Sequence, residues 1–159
     1  MGKYSNKNAQ AVLTEVEKLL VEAQACKQLG VRKPTFKMKN VYDRLSIFDW
    51  WVDELGVTRL KQMRDFLKLA IELGFTGYVC FKVGATGCAN GMWAHTKESE
   101  NGYSPNDCDT LYRSFTPAYT YYDMIDASGE CLTKKVGLGY DNIQTANDLR
   151  RFVKEVVNA

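Results

Sequence analysis

Thr76–Lys97, TGYVCFKVGATGCANGMWAHTK, is the stretch that decides the fold. Tyr78, Val79, Cys80, Phe81 and Val83 suit a pleated, buried strand, and Met92, Trp93 and Ala94 suit a returning partner. Between them Gly84, Gly87 and Gly91 allow backbone angles that other residues avoid. The stretch therefore predicts a β-hairpin at the centre of the structure.

Upstream the pattern is helical. Residues 8–28 place Val12, Val16, Leu19, Leu20 and Ala23 on one stripe, with Glu15, Glu17, Lys18 and Glu22 mainly off it, and Gly30 stands at the expected C-terminal cap. Ser46-Ile47-Phe48-Asp49 matches a capping box, predicting a short helix over 47–55. Gly56 is read as its end and Thr58 as the cap of a third helix, whose apolar face carries Leu60, Met63, Phe66, Leu67, Ala70 and Ile71. Lys61 with Asp65 and Lys68 with Glu72 are spaced as i,i+4 pairs, and Gly74 stops the helix.

Downstream, Glu98–Asp109 is a turn-rich connection, and TLYRSFTPAYTYYDMID gives two strand-like runs broken at Pro117. Asp126–Glu130 reads as a reversal into a strand over Cys131–Val136. Thr145-Ala146-Asn147-Asp148 is a second capping-box match, opening a helix over 146–157. The expected fold is one α+β domain over 1–159: an antiparallel sheet of about five short strands, with three N-terminal helices and one C-terminal helix packed against it.

At 159 residues, 45% apolar and 25% charged, the chain has the composition of an ordinary globular domain. The polar opening MGKYSNKNAQ and the lack of a long apolar run predict a cytoplasmic protein with no membrane segment. Five cysteines, an odd number, and a single histidine predict free thiols with neither a structural metal nor a cofactor.

Charge is the most informative global feature. Residues 1–97 carry 15 basic and 9 acidic side chains, whereas 98–130 carry 1 basic and 7 acidic. The acids of the second segment are interleaved with tyrosines, which supply contact area at low entropic cost while carboxylates select basic surfaces. Glu98, Glu100, Tyr103, Asp107, Asp109, Tyr119, Tyr121 and Asp123 are accordingly the candidate partner-binding residues. Spaced carboxylates can stand in for phosphates, and compact non-catalytic chains are frequent among phage and mobile-element accessory products. The expected function is thus a non-catalytic binding protein that engages a macromolecular partner through this acidic, tyrosine-rich surface, inhibition of a nucleic-acid-handling enzyme being the specific form the charge pattern suggests. Burial of alternate tyrosines in a core is the competing reading.

Other readings stand beside it. Gly84, Thr86, Gly87, Asn90 and Gly91 form a glycine-rich loop able to turn backbone amides toward a small ligand or nucleotide, but it lacks both GxxxxGK[ST] and a following helix. Cys88 and His95 are the residue types of a cysteine hydrolase, without any of the local signatures such enzymes carry. Arg32, Lys33, Lys37 and Lys39 lie in an acid-free segment that suits contact with a phosphate backbone.

Overall fold

A computed structural model describes residues 9–30, 49–75, 78–82, 91–97, 108–115, 120–137 and 142–158. Helix α1, Ala9–Gln28, buries Ala9, Val12, Leu13, Val16, Leu19, Leu20 and Ala23 along one stripe. It ends at Gly30, whose φ of +69° is the left-handed value a glycine reaches without a Cβ penalty.

Helix α2 runs unbroken over Asp49–Glu72, joining the two helices that the sequence divides at Gly56. A glycine inside a helix costs about 1 kcal/mol relative to alanine. The apolar face C-terminal to it, with Leu60, Met63, Phe66, Leu67, Leu69 and Ala70 all buried, outweighs that penalty. At the far end Phe75 N donates to Ala70 O at 2.8 Å and Gly74 N to Ile71 O at 3.2 Å, a Schellman cap with Gly74 at a φ of +92°. Asp65 is paired with Arg64 and Glu72 with Arg150, rather than with Lys61 and Lys68.

Among the described residues the sheet has four strands in the antiparallel order β1 (Tyr78–Lys82), β2 (Gly91–His95), β3 (Thr110–Ser114) and β4 (Tyr122–Ile125). The central hairpin pairs Val79 with Ala94 and Cys80 with Trp93. β3 then sets Leu111 against Ala94 and Met124, and Tyr112 against Trp93 and Asp123. Since side chains alternate across a strand, Val79, Met92, Ala94, Leu111, Tyr122 and Met124 share one face. They join α1, α2 and the C-terminal helix in one continuous core, where the Phe66 and Phe115 rings meet edge to face at 6.5 Å.

The expected fifth strand over Cys131–Val136 is absent. Cys131 forms a single bridge with Ile125, and the chain then coils into α3, Leu132–Lys135. The turn before it follows expectation: Asp126 Oδ1 accepts from Ser128 N at 2.9 Å and Glu130 N at 3.0 Å, with Gly129 at a φ of +84°. One turn of helix at this point delivers Thr133 to a buried carboxylate, described below.

The final helix, α4, spans Ala146–Phe152 and opens on the expected capping box, Thr145 Oγ1 accepting from Asp148 N at 3.1 Å while Asp148 Oδ2 accepts from Thr145 N at 3.1 Å. It continues as a wider π-helical turn over Val153–Val157. Arg150 reaches Glu72 with two parallel hydrogen bonds of 2.9 and 3.0 Å, tying α4 to the end of α2. Among the described residues no helix is long and apolar enough to cross a membrane.

Candidate partner-binding site

The end of the sheet where β2 passes into β3 is closed by a ladder of polar contacts. His95 is fully buried, its Nδ1 3.1 Å from Thr110 Oγ1. One residue further along each strand, Thr96 N donates to Asp109 O at 3.1 Å and Asp109 N donates to Thr96 Oγ1 at 3.2 Å. Beyond them the buried Cys108 thiol lies 3.7 Å from Lys97 O. These contacts form a neck, from which the connection carrying Glu98, Glu100, Tyr103 and Asp107 departs and to which it returns. Asp109 is exposed on this neck.

A cavity of about 400 Å³ opens beside the neck. Thr96 and Asp109 belong to its wall, together with Phe75 and Met124, which are buried, and Ile125, Leu132 and Val153, which are half-buried. Val157 and Asn158 at the end of the π-helical turn, and Glu72 with Leu73 at the end of α2, complete it. The site therefore combines apolar side chains with polar ones, two carboxylates, Glu72 and Asp109, among them.

The antiparallel topology separates the remaining candidates. Tyr121 precedes β4 and its carbonyl accepts from Ser114 N at 2.9 Å, at the opposite end of β3 from Asp109. Five strand residues span roughly 17 Å, too far for Tyr121 and Asp109 to share one small contact. Tyr121 is half-buried and meets the Tyr112 ring edge to face at 5.8 Å; Tyr112 in turn lies 4.7 Å from Trp93. These rings cover the sheet face opposite the helices, and Tyr112 occupies the space a side chain at Gly91 would need. Tyr122 and Phe115 are buried in the core.

Asp123 is drawn inward. Its residue is 6% exposed, its Oδ1 accepts from Thr133 Oγ1 at 2.5 Å, and the Cys131 thiol lies 3.6 Å away. Burial raises its pKa above the ordinary carboxylate value, against the lowering effect of the Thr133 and Cys131 hydrogen bonds and of Lys134. Burial likewise raises the Tyr112 phenol, offset by its hydrogen bond with Ser114. Sequence reasoning did not single out Thr133 or Cys131; an acid facing a strand interior needs a hydroxyl partner, but only the turn of α3 brings one there.

Glu98, Glu100, Tyr103, Asp107 and Tyr119 lie outside the described residues, as do Cys88, the loop residues Gly84, Thr86, Gly87 and Asn90, and the basic residues Arg32, Lys33, Lys37 and Lys39. Gly91 is described and belongs to β2, buried beneath Tyr112. His95 is buried with its Nδ1 beside Thr110 Oγ1, and its pairing with Cys88 falls outside the described residues. Among the described residues no group of His, Cys, Asp and Glu is placed to hold a metal ion.

Compared with protein-family models, with curated proteins and with solved structures, the chain matches none.

Proposed function

We propose that this chain is a binding protein that presents the carboxylates of its β2–β3 connection to a positively charged face of a protein partner, without bond-making chemistry. The observation that carries the reading is the exposure of Asp109 on a neck closed by Thr96, at the base of a connection whose sequence holds Glu98, Glu100 and Asp107. A short, clamped base holds both ends of the acidic segment in one place, so its charges act on a partner together. A partner face that otherwise receives nucleic-acid phosphates fits this charge pattern, which makes inhibition of a nucleic-acid-handling enzyme the physiological role we favour.

The test is affinity purification from the source cell with the native chain and with the variant E98K/E100K/D107K/D109K, folding being checked by circular dichroism. A partner that is retained by the native chain and lost by the folded variant is the expected result. Equal retention of that partner by both chains would sink the reading.

A further inference from the structure

We infer that the cavity beside the neck is an anchor pocket, and that the partner inserts one apolar side chain there from a segment whose flanking lysines or arginines meet Asp109. The inference rests on the proposed function and names the chemistry of the partner segment.

Binding energy concentrates where a side chain fills a desolvated pocket surrounded by a polar rim. The cavity supplies apolar side chains and polar groups side by side. Its volume of about 400 Å³ exceeds the demand of a single leucine or phenylalanine, and its floor is built from Phe75, Met124, Ile125 and Leu132. Val153 and Val157 stand one turn apart on its wall, at the two ends of a π-helical turn closed by Asn158 N donating to Val153 O at 2.9 Å. Such turns recur at functional sites because the widened backbone redirects side chains. Val157 is 38% exposed on this wall, apolar surface that an inserted side chain would cover.

The rim selects the charge of the occupant. Glu72 is held by the Arg150 guanidinium, which lowers its pKa and neutralises its charge locally. Two exposed carboxylates line the cavity, Glu72 in an ion pair with Arg150 and Asp109 in none among the described residues, and no lysine or arginine is among the described lining residues. An apolar anchor flanked by positive charge satisfies floor and rim together; an acidic or wholly polar segment satisfies neither.

The test uses acetylated, amidated pentapeptides KLKLK, KSKSK and ELELE, titrated calorimetrically into the native chain and into D109K and V157W. KLKLK is expected to bind saturably, and KSKSK about tenfold more weakly, since one buried aliphatic anchor contributes roughly 1–3 kcal/mol. ELELE is expected to give no heat. D109K should weaken KLKLK about fivefold, and V157W, whose indole fills the cavity, about tenfold. Equal binding of KLKLK and KSKSK, which requires no variant, or absence of KLKLK binding would overturn the pocket. V157W binding as the native chain does while D109K fails would overturn the pocket and leave the acidic-surface reading standing. Undiminished binding by both variants would remove both.

Discussion

Thr96 and Asp109 exchange two hydrogen bonds across the base of the β2–β3 connection, one between backbone groups at 3.1 Å and one from the Asp109 amide to the Thr96 hydroxyl at 3.2 Å. A hydroxyl is needed for the second, and valine has the same shape without it. T96V should lower stability by about 1 kcal/mol, the usual net value of one such bond. Hydrogen exchange at the Asp109 amide should accelerate in the variant; unchanged protection there would mean that the side-chain bond does not close the neck.

Gly91 lies beneath Tyr112 so closely that a Cβ at position 91 would come within 2.4 Å of the ring. G91A should therefore destabilise the sheet by about 1–3 kcal/mol through overpacking. The same change made in a Y112A background should be nearly silent, because the obstructing ring is gone. Chemical denaturation of the four chains of this cycle measures the coupling, and additive effects would contradict the contact.

The pH dependence of stability should carry the mark of Asp123. Burial raises its folded pKa above the ordinary 3.8, so the folded chain holds this proton more tightly than the unfolded chain does. Its contribution is then most favourable below 3.8 and declines as pH rises through the raised folded value. D123N keeps an oxygen for Thr133 to donate to and has no charge to bury. Urea midpoints should show the native chain losing stability relative to D123N between 3.8 and neutrality, and parallel curves would contradict the burial. Asp126 and Asp148 act in the opposite sense: hydrogen bonds from Ser128 and Thr145 respectively, the largest influences on each, depress their pKa values. Their stabilisation is present above 3.8 and is lost as pH falls through the depressed values, in the native chain and in D123N alike.

T145A removes the hydroxyl that accepts from Asp148 N at the start of α4. Loss of such a cap typically costs about 1 kcal/mol. Thermal unfolding should show the corresponding drop, and T145S should restore most of it; an alanine variant as stable as the native chain would show that α4 is held by Arg150 and core packing alone.

What could be read from the sequence was whatever short-range chemistry dictates. The Thr145–Asp148 box, the glycine stops at Gly30 and Gly74, the reversal at Asp126–Glu130 and the pairing of the central hairpin all depend on residues close in the chain or on a clear alternation. Gly56 misled because a helix break is a local cost that the buried face from Leu60 to Ala70 overrides. Cys131–Val136 misled because a six-residue run has too few apolar positions to separate a strand from a helical turn, and the deciding contact, Thr133 with Asp123, is tertiary. The same limit applied to the candidate site. Composition placed acids and tyrosines in one segment, whereas strand direction sends Asp109 and Tyr121 to opposite ends of β3 and turns Asp123 inward. Arg113 was hidden in the same way: register sets it on the core face, where its guanidinium lies 4.5 Å from the Tyr122 ring and burial lowers its pKa. The cavity, lined by residues spread from Glu72 to Asn158, has no signature in any single stretch.

The most direct measurement places a photo-crosslinking phenylalanine analogue at position 109 in one chain and at position 121 in another, and compares their adducts with the partner retained from the source cell. Attachment from position 109 to a lysine- or arginine-bearing segment, with little or none from position 121, is the predicted result. Attachment from position 121 with none from 109 would contradict the placement of the site at the acidic neck.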